Sequence, residues 1–118
     1  MKLYPDCIRD VLICLEEKTE FNKIVTIEEI CNCLNYPDNK VKYHIRQCEL
    51  ADYLVRVSWD LSGNGYITDI SPRAHEFIAN IRTESVWKKV KDKALDVGSF
   101  SLNTLAQIAV NIISSRIG

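Results

Sequence analysis

Five cysteines and two histidines are the side chains of this sequence best suited to metal binding or nucleophilic chemistry. Cys31 and Cys33 form a Cys-Asn-Cys triplet, but residues two apart on a helix point about 200° away from each other, so this pair cannot share one ion. No CxxC pair accompanies the triplet. His75 and Glu76 lack the second histidine, one helical turn away, that a zinc-protease helix requires. We therefore expect no metal, no cofactor and no enzyme activity.

The cysteines also bear on the compartment of the protein. Their odd number and their placement inside helical patterns are unlike the even, loop-borne cysteines of a secreted disulfide scaffold, so reduced thiols are expected. The opening MKLYPDCIRD shows no basic leader followed by an apolar run. The least charged stretch, near the end of the sequence, contains Ser, Asn and Gln, which argues against a membrane span. We expect a cytoplasmic protein with no membrane association.

The composition is that of a folded domain with almost balanced charge. The length of 118 residues fits one compact domain, and 47% hydrophobic and 26% charged residues are typical of folded proteins. The 15 basic and 16 acidic residues give a formal charge of −1. The molecule as a whole therefore does not attract nucleic acid or anionic lipid, and any such attraction must come from a local group of basic side chains.

The sequence predicts six helices and a β-hairpin. Helix 1 begins at Pro5, and helix 2 begins at a capping box formed by Thr26 and Glu29. A YPDN turn, with Asp38 or Asn39 as the cap, precedes helix 3. The β-prone runs VRVSW and YITDI flank the turn-forming DLSGNG and predict the hairpin.

Three further helices follow the hairpin. Ser71 is the predicted cap of helix 4, which begins with a proline. Gly98 is expected to separate a charged helix 5 from a nearly uncharged helix 6. Trp59 and Trp87 both fall on apolar stripes, and we expect both in the core; the alternative is that they are stacking platforms. His44, at the edge of the apolar side of helix 3, is expected to be a structural histidine.

Helix 3 carries the residues whose spacing suggests nucleic-acid binding. At about 100° per residue, one side of this helix is apolar and comprises Val41, Ile45, Cys48 and Ala51. The opposite side is polar and comprises Asn39, Lys42, Tyr43, Arg46 and Gln47. Basic side chains can contact phosphates, and Arg, Gln and Asn offer donor and acceptor pairs that match base edges in a major groove. Arg56, in the hairpin, is expected to add a further contact. The alternative is that this polar side is only a solvated helix surface.

The order of the elements indicates the fold class. Helix, short strand, helix, tight turn, helix and β-hairpin is the order of a winged helix-turn-helix domain, whose third helix enters the major groove of DNA. We predict an α+β fold with a winged helix-turn-helix core over residues 1–82. Residues 83–118 are predicted to form a C-terminal helical extension packed on the same domain.

Several motifs resemble those of known families. VKYHIRQCELADYL resembles the recognition-helix pattern of PadR- and MarR-type bacterial regulators, in which a helix with a central histidine ends in AGL before the wing, and ISPRAHEF resembles the LTxxGxEF motif that follows it. Nearly the whole chain is similar to an uncharacterised family of small bacterial and prophage proteins, through IRDVLICLE, YHIRQCELADYL and ISPRAHEFIANIRTESVWKKVK. Asp52, at the expected left-handed end of helix 3, and Ala74 stand where these patterns have glycine. The resemblance implies the winged-helix fold and no established activity.

These features predict a DNA-binding or transcription-regulating module of a bacterium or prophage. The alternative is a winged-helix module that binds another protein and no DNA, which the low overall charge favours. Helix 6 is predicted to pair two copies in a homodimer, because its apolar surface is wider than one packing contact needs. The residues predicted at that interface are Leu105, Ile108, Ile112 and Ile113.

Overall fold

The computed structural model describes residues 1–117 and shows an α+β fold. The helices are α1 (Pro5–Lys18), α2 (Ile27–Cys33), α3 (Asp38–Leu50), α4 (Pro72–Ile81), α5 (Glu84–Val97) and α6 (Leu102–Ile117). The strands are β1 (Val25–Thr26), β2 (Leu54–Trp59) and β3 (Gly65–Ile70). The predicted helices, the hairpin and the α+β class are confirmed.

The three strands form one antiparallel sheet in the order β1–β3–β2. Ile67, in the central strand, pairs with Val25 on one side and with Val57 on the other. Ile67 and Val25 are fully buried, and α1 and α2 both pack against β3. Because side chains along a strand alternate between its two faces, this row of residues marks the face of the sheet that lies against the helices.

Several helix ends follow the capping signals in the sequence. The Glu29 amide donates to Thr26 Oγ1 at 3.1 Å, and the Thr26 amide donates to the Glu29 carboxylate at 3.3 Å, which completes the predicted capping box. At the start of α4, Ser71 Oγ accepts a 3.2 Å hydrogen bond from the amide of Ala74. Gly98 ends α5 with a φ of 85°, the left-handed conformation that glycine adopts without strain.

The two ends of α3 differ in how well the sequence predicted them. Asp38 is the first helical residue and Pro37 occupies the N-cap position with no side-chain hydrogen bond, so the prediction of a cap at Asp38 or Asn39 was wrong. At the other end Asp52 has a φ of 63°, which is the expected left-handed conformation. Short polar side chains tolerate this conformation better than most, which explains why aspartate stands at a position where glycine fits best.

The chain divides into two compact units, and the first comprises Met1–His75. In this unit α1 packs against α2, α3 and β3, and α2 packs against α3. Each of the three helices contributes an apolar side to this core. The largest buried side chains of this core are Ile8, Leu12, Leu15, Ile27, Ile30, Ile45 and Ile67.

The second unit begins at Glu76, and α5 and α6 pack against each other within it. Trp87 is almost fully buried, as the sequence predicted. The other buried residues of these two helices are Val86, Val90, Ala94, Leu102, Leu105, Ile108 and Ala109. The boundary after residue 82, and the packing of residues 83–118 on the same domain, stay predictions.

Candidate nucleic-acid interface

The polar side of α3 lies at the protein surface. Val41, Ile45 and Cys48 are fully buried, as predicted, and this leaves the opposite side directed outwards. Of the five residues predicted on that side, Asn39 and Arg46 are exposed, whereas the other three, Lys42, Tyr43 and Gln47, are partly buried. Leu50 lies on the same side and is 68% exposed, although the sequence analysis did not single it out. The exposed strip of α3 is therefore partly apolar.

His44 has the structural role that the sequence predicted. Its ring is fully buried, and its Nε2 accepts a 2.9 Å hydrogen bond from the Tyr4 amide while its Nδ1 lies 2.7 Å from the Lys40 carbonyl oxygen. Because Nε2 accepts, the proton sits on Nδ1, and the imidazole is neutral. Burial lowers the pKa of His44 further below its ordinary value. The residue thus fixes the start of α1 to α3.

Arg46 contacts one residue of the hairpin and one residue of its own helix. Its guanidinium carbon lies 4.5 Å from the centroid of the Trp59 ring, and its Nε lies 3.5 Å from Oε1 of Glu49. The same Glu49 oxygen accepts a 2.8 Å hydrogen bond from Trp59 Nε1. The Arg46 side chain nevertheless keeps 50% exposure. These three residues, the Arg46 cluster, present an oriented guanidinium group at the surface.

The sequence did not indicate that Trp59 and Glu49 would join Arg46 in one cluster. Trp59 is only partly buried, so its predicted core position was wrong. Its indole nitrogen instead donates a hydrogen bond to Glu49 of α3. The sequence does show a glutamate three residues after Arg46 and a tryptophan at the end of β2. It does not show that the hairpin folds back onto α3, which is what brings the tryptophan next to the other two residues.

Lys42 lies beside the turn of the hairpin. A β-carbon added to Gly63 would lie 3.8 Å from both Cδ and Nζ of Lys42, which places its ammonium group at this turn. Asp60 belongs to the same turn, and its pKa is lowered, first by the hydrogen bond from the Ser62 hydroxyl and last by the charge of Lys42. Lys42 is therefore near an anion of its own chain, which reduces its attraction for a phosphate.

Arg56 has an unusual backbone conformation within β2. Its φ of 51° is left-handed, which is uncommon for a residue with a β-carbon. The side chain is exposed, and the carbonyl oxygen accepts a 3.1 Å hydrogen bond from Thr68 Oγ1. The more buried positions Leu54 and Val57 stand three residues apart here, whereas a regular strand repeats every two. Nothing in the run VRVSW indicates this conformation.

The charge of the first unit is unfavourable for strong binding to a polyanion. Residues 1–75 contain nine Lys and Arg and twelve Asp and Glu side chains, a formal charge of −3. Residues 76–118 contain six basic and four acidic side chains, a formal charge of +2. Basic groups near α3 therefore act against an acidic background, and their number alone does not define a nucleic-acid interface.

A groove between α5 and α6 forms a second surface with basic side chains. It has a volume of about 420 Å³, and Ile108 and Ile112 line it together with Lys89, Lys93 and Arg116. Within residues 1–117, none of these three basic side chains forms an ion pair. We refer to it below as the α5–α6 groove.

The predicted dimer interface is only partly a free surface. Leu105 is fully buried and Ile108 nearly so within the chain, so packing inside the chain already accounts for most of both side chains. Their assignment to a dimer interface stays a prediction. Ile112 and Ile113 are partly buried. The outward side of α6 is mostly polar and uncharged and comprises Asn103, Gln107, Val110, Asn111 and Ser114. A homodimer through the end of α6 stays a prediction.

The described residues contain neither a membrane-spanning helix nor a cluster of metal ligands. Each helix in residues 1–117 is too short or too polar to cross a lipid bilayer. Among these residues, no three His, Cys, Asp or Glu side chains lie close enough together to hold a metal ion.

The fold and the exposed side of α3 define an α+β protein with a small antiparallel sheet and a candidate binding helix. The chain belongs to the uncharacterised family described as "Hypothetical protein (DUF2513)", whose model matches residues 2–101. This match includes α1 to α5 and ends immediately before α6. Comparisons with curated proteins and with solved structures found no match. The predicted resemblance to an uncharacterised domain family is confirmed, and the resemblance to PadR- and MarR-type regulators stays a prediction.

Proposed function

We propose that residues 1–82 form a winged helix-turn-helix module of a bacterial or prophage regulator and that α3 binds duplex DNA in the major groove. The element order α1–β1–α2–α3–β2–β3, with β2 and β3 as the wing, supports this proposal. The observation that carries it is the Arg46 cluster, because it orients an exposed guanidinium group on the outward side of α3. A restrained arginine loses less conformational freedom when it binds a base or phosphate.

The residues of this surface divide into two roles. Arg46 and Asn39 are exposed on α3 and are suited to base edges, because Arg pairs with guanine and Asn with adenine through two hydrogen bonds each. Arg56 in the wing and Lys42 beside the wing tip are suited to phosphates. Tyr43 and Gln47 are partly buried on α3 and are suited to contacts with the sugar-phosphate backbone of the DNA.

The acidic background sets the expected strength of this interaction. Non-specific affinity grows with the number of phosphates that basic side chains neutralise. With Lys42 near Asp60 and Arg46 near Glu49, few full positive charges are available, so affinity for random duplex DNA is expected to be low at physiological salt. Sequence-specific contacts from α3 would have to supply most of the useful affinity.

The proposal is tested by replacing the oriented guanidinium. We expect Arg46→Ala to weaken binding to a short fluorescent duplex, measured by anisotropy at low salt, by about tenfold or more. Lys88→Ala is the matched control, because it removes one positive charge from an exposed position on α5. Both variants must melt like the wild type by circular dichroism. Equal affinity of the two variants would exclude contact through Arg46.

A second function is favoured by one observation, the 68% exposure of Leu50. An apolar residue on the outward side of α3 is more typical of a protein-binding surface than of a DNA-binding one. A photo-crosslinking residue at position 50, expressed in cells, would then give one discrete protein adduct. The same residue at the exposed position 17 on α1 is the control. An adduct at position 50 with unchanged DNA binding of Leu50→Asn would separate the two functions.

A further inference from the structure

The α5–α6 groove collects much of the positive charge of the second unit. Lys89 and Lys93 are one helical turn apart on α5, so both side chains lie on the same side of that helix, and Arg116 of α6 lines the same groove. Among residues 76–117, three of the six basic side chains line the groove, whereas none of the four acidic ones does. The ion pairs of the described residues do not involve these three cations. The groove is therefore a local cationic surface on a nearly neutral chain.

The rest of the lining is mostly apolar. Ile108 and Ile112, one turn apart on α6, both line the groove. Ile108 is almost fully buried, whereas Ile112 is only partly buried. The two lysines add their methylene groups to this surface, because a lysine carries its charge only at the end of a long aliphatic stem. A molecule in the groove therefore meets hydrocarbon along its length and positive charge at the lysine ends.

Two uncharged polar side chains of α6, Asn111 and Ser115, complete the lining. The side-chain oxygen of Asn111 accepts a 3.4 Å hydrogen bond from Gln107 Nε2, which leaves its Nδ2 group as a donor. The Ser115 hydroxyl is a second donor. Among the described residues, the lining thus offers hydrogen-bond donors and cations but no carboxylate. This chemistry complements an anion and repels a cation.

The size of the groove suits a small molecule. Its volume of about 420 Å³ lies in the range of about 300 to 1,000 Å³ found for ligand pockets. At about 30 Å³ for each water-sized group, this volume holds about 14 such groups. A stable protein interface, in contrast, covers about 800 Å² on each partner and has an apolar centre. The outward side of α6 next to the groove is mostly polar, so it does not extend the apolar surface to that size.

We propose that the α5–α6 groove is a binding site for a free medium-chain fatty acid. The acyl chain lies against Ile108 and Ile112. The carboxylate contacts the ammonium groups of Lys89 and Lys93, and Arg116 adds to the attraction. Dodecanoate has about 14 non-hydrogen atoms, which matches the number of water-sized groups that the groove holds. An inorganic anion would leave the apolar lining uncovered, and a neutral hydrocarbon would leave the cations unpaired. The site involves α5 and α6 alone and does not rest on DNA binding by α3.

The test titrates dodecanoate, below the concentration at which it forms micelles, into the isotope-labelled full chain near neutral pH and follows the backbone amide signals by NMR. We expect saturable shifts, largest in α5 and α6, with a dissociation constant of about 0.1 to 1 mM. Octanoate has a shorter chain and should bind about tenfold more weakly, because less hydrocarbon is buried. Dodecyltrimethylammonium, which has the same chain length and the opposite charge, should cause no saturable shift in these helices.

Replacing one lysine of the groove tests the carboxylate contact. Lys89→Gln should weaken the binding of dodecanoate by about fivefold, which is the upper range for an exposed ion pair. Lys88→Gln is the matched control, because it removes the same charge from the neighbouring exposed position, which does not line the groove. It should change the affinity by less than about twofold. Both side chains are exposed, so we expect both variants to fold, and their melting temperatures verify this.

The proposal is overturned if free dodecanoate causes no saturable shift. Equal affinity for dodecanoate and dodecyltrimethylammonium would show only general attachment of an amphiphile. Equal weakening by Lys89→Gln and Lys88→Gln would show only attraction by net charge. Binding to phosphatidylglycerol vesicles without binding of free dodecanoate would assign the groove to a lipid surface, and a dimer that keeps dodecanoate out would assign it to a second copy. Each of these results is independent of whether α3 binds DNA.

Discussion

The α3–hairpin surface and the α5–α6 groove present their basic side chains in opposite ways. On the first, Arg46 is stacked on Trp59 and paired with Glu49, and Lys42 lies beside the turn that holds Asp60. In the second, Lys89, Lys93 and Arg116 form no ion pair within residues 1–117. The more basic unit is therefore not the one with the more oriented basic groups. Orientation decides specific recognition, whereas free charge decides only general attraction.

The largest expected effect concerns the hairpin that orients Arg46. A β-carbon on Gly65 would lie 1.8 Å from the Ser58 carbonyl oxygen, at a φ of 142°, so Gly65→Ala forces the two strands apart. We expect a loss of about 4 kcal/mol or more in the free energy of unfolding, measured by chemical denaturation.

Gly63→Ala is the matched control for the hairpin. Its β-carbon would meet only Lys42, at 3.8 Å, and its φ of 83° costs about 1 kcal/mol for a residue with a side chain. If both variants lost the same free energy of unfolding, the close approach of β2 and β3 at Gly65 would not be what holds the hairpin.

The next effect concerns α6 and tests whether its apolar side packs within the chain. Leu105 is fully buried, so Leu105→Ala is expected to lower the free energy of unfolding by about 2 to 5 kcal/mol. Val110 is on the outward side of the same helix. Val110→Ala should therefore change the free energy of unfolding by less than about 0.5 kcal/mol. Similar losses for the two variants would mean that α6 buries both sides, as a dimer through this helix requires.

A smaller effect is expected within the Arg46 cluster. Trp59→Phe keeps an aromatic ring under the guanidinium group but removes the 2.8 Å hydrogen bond to Glu49. Because Glu49 is 30% exposed and recovers part of its solvation, we expect a loss of about 1 kcal/mol in the free energy of unfolding. A double-mutant cycle with Glu49→Gln measures the coupling. No coupling between the two positions would remove the structural reason for the orientation of Arg46.

His44 is expected to have the smallest effect on the free energy of unfolding at neutral pH. This effect grows as the pH falls. Its folded-state pKa is lowered by burial from an ordinary value of 6.5, so the folded protein binds fewer protons than the unfolded chain. Its contribution to stability is therefore complete above about pH 6.5 and is lost as the pH falls below that value towards the folded-state pKa. The hydrogen bond from the Tyr4 amide requires an unprotonated Nε2, which gives the same direction.

Denaturation between neutral and mildly acidic pH measures this effect. The groups around the His44 ring are the Lys40 carbonyl and ammonium groups and the Tyr4 and Tyr43 rings. None of these ordinarily titrates between pH 5 and 7, so the slope in that window reports His44. His44→Gln should flatten the slope. An unchanged slope in His44→Gln would show that another group causes the acid sensitivity.

The sequence predicted the parts of this structure that depend on local signals. The capping box at Thr26, the left-handed Asp52 and the helix stop at Gly98 each follow from residue types within one turn. The apolar periodicity of α3 likewise predicted which side is buried, because that pattern repeats with the helix. These features need no knowledge of distant residues.

The candidate site was predicted less completely because its contacts are not local. Trp59 reaches Arg46 and Glu49 only because the hairpin returns onto α3, and no periodicity encodes that return. The φ of Arg56 has no signal in its own strand. On α6, a wide apolar stripe suggested a partner for Leu105, but apolar periodicity does not distinguish burial within one chain from burial between two.

The salt dependence of binding to duplex DNA tests the proposed role of α3 most directly. With Lys42 and Arg56 as the phosphate contacts, the logarithm of the binding constant should fall against the logarithm of the salt concentration with a slope of about −2. Lys42→Ala should reduce the size of that slope by about 1, whereas Arg46→Ala should weaken binding and keep the slope. Binding that ignores salt, or an identical slope for the wild type and Lys42→Ala, would contradict the account.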